Sequence, residues 1–436
     1  MLKIFKIVAV LTLVFGITIL NSSCSKRKNP TQLTVLHGLE YESSFNDTAS
    51  FWFNYMGNNT FRELSVYTPP GYDPSDTTTK YPVLYLLHGF GGDQDYFTDL
   101  FGLNSIADEM ISKGEIKPMI IATIDASSEL GGGWYCDTDS FGVEENVIDT
   151  LYFNYTGFDE EGNPIESTAV TDTNDVVRYF GGLYENLIVE QLRREIKQDY
   201  NIYTDVSHTG IGGHSMGGYG AMKIGMKHTD IYGSISSMSG PLAFDSLIGL
   251  IPYVLAENGL SADSSDTYNE ALFHNMLPSQ SKKLTTMMIS MGASFSPFHF
   301  DDTDSSYWVG LPITIKEDNN LIQLSINLPF NWTFFTNPTL DATIWSKWLA
   351  QDCYTLLDTY ASNLIANNTA IYMDCGDNDE LNLKAHNDAF DAKLTTLGVP
   401  HKYYVYSGYS GNPAMHSNFI TQRLREVLKF HSQNFQ

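Results

Sequence analysis

The chain predicts an α/β fold, a mostly parallel sheet with helices on both faces. From residue 60 to the end, strand-like and helix-like segments alternate, the pattern of a sheet wrapped by crossover helices. Several strand-like runs are continuously apolar and stop at glycine, as strands buried on both faces do. The chain has 436 residues, 42% of them hydrophobic and 13% aromatic, so one large core is within reach.

The elements follow in order. "FRELSVYTP" (61–69) is rich in β-formers and stops at a Pro-Pro-Gly turn. "YPVLYLLHG" (81–89) and "MIIATID" (119–125) read as buried strands, with "NSIADEMISKG" (104–114) as a helix between them. Leu187, Ile188, Leu192 and Ile196 recur at helical spacing. "HTGIGGH" then leads into Ser215, and "GAMKIGMKH" continues as a helix. "YGSISSMSG", "TAIYMDCG" and "KYYVYSG" are three later strands, interleaved with the helices "NDAFDAKLTTLG" and "NFITQRLREVLKFH". Two segments break the rhythm: an acidic stretch at 142–178 and a longer, aromatic-rich one at 240–350. Both read as insertions over one edge of the sheet, forming a lid or binding wall.

The first residues stand apart. Lys3 and Lys6 precede an apolar run from Ile7 to Leu20, too short for a confident membrane span, then small polar residues and Cys24. Residues 1–23 are expected to be an export signal, and 24–40 a tether lipidated at Cys24, as in bacterial lipoproteins. The catalytic domain then spans 41–436, on the exported, membrane-anchored side of a cell envelope. Lys+Arg number 25 against 51 Asp+Glu, a net charge of −26 that repels phosphates and excludes nucleic acid as a partner. Cys136, Cys353 and Cys375 match no zinc spacing, and the sequence holds neither CxxC nor HExxH. "DDTDSS" (301–306) lacks the glycine and distal glutamate of a calcium loop. Neither metal nor cofactor is expected.

Chemistry is expected at "GHSMG" (213–217), a G-x-S-x-G pattern between a strand and a helix. A nucleophile on so sharp a turn needs small neighbours, and the helix start favours negative charge beside it. "HGFGG" (88–92) follows another strand, where the N–H groups of Phe90 and Met216 could point at one substrate oxygen. A serine needs a base, and the base an orienting acid, in the chain order Ser…Asp/Glu…His. "MDCGDNDELN" offers Asp379 beyond Gly376, with Asp377 as runner-up and Asp374 still at the strand end. His416 lies in the loop before the last helix, where a base is needed. His401 begins a strand away from that edge, and His431 lies deep in a helix. His208, His228 and His386 read as surface or structural.

The set "PVLYLLHGFGG", "PMIIATI", "GIGGHSMGGYGAM", "MDCGDNDELN" and a late "MH" resembles the esterase D family of α/β-hydrolases from about residue 60 onward. The resemblance implies Ser215 as nucleophile, Asp379 as acid, His416 as base, and Phe90 and Met216 as oxyanion donors. It makes Trp134 and Tyr135 candidate substrate contacts, because "GGGWYCDTDS" matches a region lining the acyl pocket; His214, inside the pentapeptide, is a third. The sequence departs from many members in having no Trp soon after the histidine. The expected activity is a serine esterase acting on an acylated carbohydrate or an aryl (feruloyl or acetyl) ester. An acyltransferase with the same triad, a siderophore esterase and a silent glycan-binding lipoprotein are the alternatives.

Overall fold

The computed structural model describes residues 40–46, 61–128, 131–138, 155–158, 164–165, 183–257, 283–296, 313–317, 320–324, 328–331 and 339–436. The expected signal, Cys24 and all of the tether but Glu40 therefore lie outside the described residues, as do most of 142–178 and the acidic loop at 301–306.

Eight strands form the main sheet: β1 (Glu40–Asn46), β2 (Phe61–Tyr67), β3 (Val83–Leu87), β4 (Ile120–Ile124), β5 (Thr209–His214), β6 (Ser234–Met238), β7 (Ala370–Gly376) and β8 (Lys402–Tyr406). Their order is β1-β2-β4-β3-β5-β6-β7-β8. β2 runs antiparallel to β1 and β4, and every other neighbouring pair is parallel. The sheet is thus the mostly parallel one expected, with an antiparallel edge.

Strand periodicity divides the core into two layers. Val83, Tyr85 and Leu87 face one side of β3 with Ile120 and Ala122 of β4. That layer packs on α2 (Met216–Lys227), α5 (Cys353–Ala366) and α6 (Leu383–Leu397). Leu84, Leu86 and Ile121 face the other side, against α1 (Leu103–Ser112) and α7 (Ile420–Asn434). Asp341 and Asp352 cap α4 (Ala342–Leu349) and α5 by accepting from the first backbone N–H groups of each helix.

The two insertions meet. Strands at 155–158 and 164–165 from the first join 313–317 and 320–324 from the second in an antiparallel four-stranded sheet. The second insertion also feeds the core: Phe295, at the end of α3 (Lys283–Phe295), packs among Trp134, Tyr219, Phe244 and Trp348 at centroid distances of 5.4–6.1 Å. Cys136, Cys353 and Cys375 are all buried free thiols.

Candidate active site

The parallel strands all point their carboxyl ends at one edge, and the loops leaving β3, β5, β7 and β8 converge there. Crevices at this edge are where open α/β sheets bind ligands. Ser215 sits between β5 and α2 with φ 57° and ψ −121°, a conformation an L-residue avoids unless its surroundings impose it. Its N–H donates to the Met238 carbonyl at 2.8 Å, which fixes the turn to β6. Glycine is obligatory beside it: a Cβ on Gly217 would lie 1.9 Å from the Leu87 carbonyl oxygen, and one on Gly213 2.4 Å from the Gly217 backbone. The same closeness brings the 88–92 loop against the serine.

His416 is reached by a second close approach. A Cβ on Gly376 would stand 2.0 Å from the Ala414 oxygen, so only glycine lets the β8–α7 loop lie across the end of β7. His416 Nε2 is then 2.8 Å from Ser215 Oγ, and His416 Nδ1 is 2.9 Å from Asp379 Oδ2. The ionised carboxylate only accepts, so Nδ1 carries the proton and Nε2 faces the serine hydroxyl as an acceptor. Burial pushes the Asp379 carboxyl up, but the hydrogen bond and charge of His416, with the Leu381 and Leu383 N–H groups, outweigh it and leave the carboxyl below its ordinary value. Asp377 is exposed on the same loop, while Asp379 is buried under the imidazole. The His416 N–H donates to Glu380 Oε2 at 2.8 Å.

The 88–92 loop is held from behind. His88 Nε2 accepts from the Ala126 N–H at 2.9 Å, the Tyr135 hydroxyl donates to the His88 carbonyl at 3.0 Å, and Gly91 N–H donates to Gly131 at 2.7 Å. Among the described residues neither the Phe90 nor the Met216 N–H has a backbone acceptor. Met216 opens α2, whose first N–H groups have no acceptor within the helix.

Trp134, Tyr135 and His214 differ from what the sequence suggests. Each is at most 1% exposed, so they stand behind the site rather than on an open wall. Trp134 donates to Ser290 Oγ at 3.0 Å and packs against Phe90, Tyr219 and Phe295. Trp134 and Tyr135 both adopt positive φ, 52° and 48°. An aromatic pair in a glycine-rich loop looks alike whether it faces ligand or core, and only burial separates the two. His214 lies under the base, its ring 4.9 Å from that of His416. Burial, then the neighbouring His416 and Arg423, hold its pKa well below the usual histidine range, so it is neutral.

Sequence patterns assign no role to Arg423 and leave Asp374 at a strand end, yet the structure pairs the two. Arg423 Nε and Nη2 reach Asp374 Oδ1 at 2.9 and 2.5 Å, Nη2 also meets Ser239 Oγ at 2.8 Å, and Nη1 donates to the His416 carbonyl at 3.2 Å. The available signal is a lone arginine among Ile420, Leu424, Val427 and Leu428 on the apolar stripe of α7.

A strained serine at a strand–helix elbow, a histidine and aspartate arriving later from successive strand ends, and this strand order define an α/β-hydrolase. The chain belongs to the esterase family described as "Putative esterase", whose model matches residues 55–147 and 181–421. An esterase of Mycobacterium tuberculosis is 29% identical over 189 residues, which are 43% of this chain and 31% of that protein. Endo-1,4-beta-xylanase Y of Acetivibrio thermocellus is 34% identical over 113 residues, 25% of this chain and 10% of the relative. The matched part of this chain therefore spans less than a third of these relatives. Among solved structures, a ferulic acid esterase is 18% identical with a TM-score of 0.49, covering 92% of this chain and 99% of its own. An S-formylglutathione hydrolase from Agrobacterium tumefaciens is 15% identical with a TM-score of 0.48, covering 93% and 99%.

Proposed function

We propose that the chain is a serine hydrolase of carboxylic esters working through an acyl-enzyme on Ser215. The observation that carries this reading is the continuous contact Ser215–His416–Asp379, at 2.8 and 2.9 Å, on the elbow. In the proposed cycle, Nε2 of His416 takes the hydroxyl proton as Oγ attacks the ester carbonyl carbon. The N–H groups of Phe90 and Met216 hold the oxyanion; such a donor contributes on the order of 3–4 kcal/mol. The tetrahedral intermediate collapses with cleavage of the ester C–O bond, and the alcohol leaves with the proton from His416. Water then attacks the acyl carbon, giving its proton to His416, and the acid departs as Ser215 recovers its hydrogen. No step requires a metal or a cofactor.

The favoured substrates are acylated carbohydrates or aryl esters of the feruloyl and acetyl kind. The resemblance to the esterase D family supports this class, as does the name of the xylanase relative. The proposed location is the exported side of a membrane, held by a lipid on Cys24.

The test is hydrolysis of short p-nitrophenyl esters, methyl ferulate and acetylated xylan, with Ser215→Ala as control. The proposal expects turnover by the wild type, none by the variant, and labelling of Ser215 by a serine-reactive phosphonate. Equal inactivity of both proteins on all substrates, with no labelling, overturns it.

A further inference from the structure

The relay orients the imidazole of His416 through its ring nitrogens, but a ring is placed only as well as the backbone that carries it. His416 belongs to a loop, and its main-chain carbonyl is gripped from beneath by two side chains other than the Ser215 hydroxyl and the Asp379 carboxylate. Its carbonyl accepts from Arg423 Nη1 at 3.2 Å and lies 3.2 Å from His214 Nε2.

Each gripping group is itself fixed. Tyr96 Oη lies 2.7 Å from His214 Nδ1, and the two rings stack at 6.0 Å. His214 is neutral, so when the tyrosine O–H donates to Nδ1 the proton sits on Nε2, where it can donate to the His416 carbonyl. Arg423 is 5% exposed, and the Tyr406 ring stacks 4.7 Å from its guanidinium carbon. Burial pulls the guanidinium down, but the Asp374 carboxylate more than offsets it and keeps the arginine charged. The second oxygen of Asp374 accepts from the Tyr372 hydroxyl at 3.0 Å. Ser239, which also receives Arg423, donates its N–H to the Asp374 carbonyl at 2.8 Å. One guanidinium therefore joins the ends of β6 and β7 to the residue proposed as the base.

A buried ion pair is a poor source of stability, because desolvating two charges costs about what their attraction returns. Its fork geometry is what an apolar pair could not reproduce.

We infer that Arg423 and His214 are positioning residues for His416, holding the base by its main-chain carbonyl while Asp379 orients its ring. This rests on the reading of His416 as the base. Arg423→Lys is the discriminating variant. An ammonium can still pair with Asp374, but it has no planar fork with which to reach the carboxylate, Ser239 and the carbonyl together. Tyr96→Phe is the milder one, since it removes only the hydroxyl that sets the His214 tautomer.

Displacement of a catalytic group by about 1 Å can cost on the order of 100-fold. On that scale the expected fall in kcat for p-nitrophenyl acetate is about 10- to 100-fold for Arg423→Lys and about 3- to 10-fold for Tyr96→Phe. KM should stay within about twofold of wild type, phosphonate labelling of Ser215 should slow in proportion, and Tyr96→Phe should melt close to wild type. A merely structural role predicts lower melting temperatures with unchanged kcat. The inference is overturned if the folded variants keep kcat within about twofold of wild type, or if the loss lies in KM alone. Should Arg423→Lys fail to fold, Tyr96→Phe decides by the same criteria. A wild type that neither turns over esters nor reacts with the phosphonate sinks the esterase reading itself; a reactive wild type matched by both variants sinks only this inference.

Discussion

His416 and His401 stand beyond opposite ends of β8, and each pairs with an aspartate, at 2.9 Å to Asp379 and 2.8 Å to Asp391. A carboxylate beside a histidine is therefore not what makes a site. The difference lies in the other ring nitrogen. His401 directs it at the Val399 carbonyl, 2.8 Å away, so both of its nitrogens face oxygen acceptors. His416 directs it at a serine hydroxyl held in strained backbone, at the edge where the parallel strands end. Topology separates the two: at the start of β8 a histidine meets its own loop and helix α6, whereas past its end it meets the loops of β5 and β7.

Alanine separates the two histidines most sharply. His416→Ala or Ser215→Ala should lower kcat on p-nitrophenyl acetate by about 10⁴- to 10⁶-fold, the scale on which relay members act as a unit. His401→Ala should stay within about twofold, since among the described residues its ring nitrogens contact Asp391 and the Val399 carbonyl rather than Ser215 or Asp379. Steady-state kinetics on the three variants decides, and a collapse at His401 or survival at His416 reverses the assignment. Next comes the carboxylate. Asp379→Asn leaves volume unchanged but lets Nδ1 face a donor, so kcat should fall about 10³- to 10⁴-fold with KM nearly constant. Asp377→Asn, on the exposed neighbour, should change kcat little. If the two results are exchanged, the acid is Asp377.

Much of this was legible in the sequence because it is carried by short-range patterns. Strand–glycine endings placed the sheet, and G-x-S-x-G with the order Ser215, Asp379, His416 picked out three side chains that the structure brings into contact. What was not legible depends on long-range packing. Trp134 and Tyr135 are aromatic in either role, and their loop is buried by Phe295, about 160 residues on in a segment without periodicity. The pairing of the two insertions into one small sheet joins strands with no alternating signal strong enough to read. Asp374 and Arg423 are 49 positions apart, on elements whose own patterns explain them as a strand end and a helix face.

A third carboxylate–histidine pair bears on stability. Glu185 contacts His228 at 3.2 Å, Lys223 at 3.4 Å and also Lys227, and Lys223 reaches the Gln351 side chain at 2.8 Å. Burial raises the Glu185 carboxyl, but His228 and the two lysines overcome it and leave it well below the ordinary range. A depressed carboxyl stabilises above its unfolded value of about 4.3 and loses that contribution as pH falls through the lower folded value. Glu185→Gln should therefore lower the melting temperature by several degrees at pH 7, and the deficit should shrink as the solution is acidified below about pH 4. Its kcat at 25 °C should be close to wild type. A large loss of kcat with an unchanged melting temperature contradicts the structural assignment.

The smallest effect belongs to His431, which among the described residues contacts two serines and no carboxylate. Its Nδ1 and Nε2 lie 2.8 Å from Ser234 Oγ and Ser236 Oγ, wholly buried against Gly210 and Gly212 of β5. A serine–histidine contact alone is thus no nucleophile: it lacks the orienting acid, the strained turn and access to substrate. Burial pushes the His431 pKa down to about 3 from an ordinary 6.5. The unfolded chain then takes up a proton that the folded chain refuses, so stability is complete above about pH 6.5 and declines as pH falls toward 3. One such group contributes a slope of at most about 1.4 kcal/mol per pH unit. His431→Gln should flatten the acid side of the stability curve, measured by urea unfolding from pH 7 to 4, and leave kcat within about twofold. If the slope is unchanged, another buried histidine, His386 or His214, dominates the acid response. If kcat falls with the slope, the helix behind β5 is coupled to the elbow more tightly than its apolar packing implies.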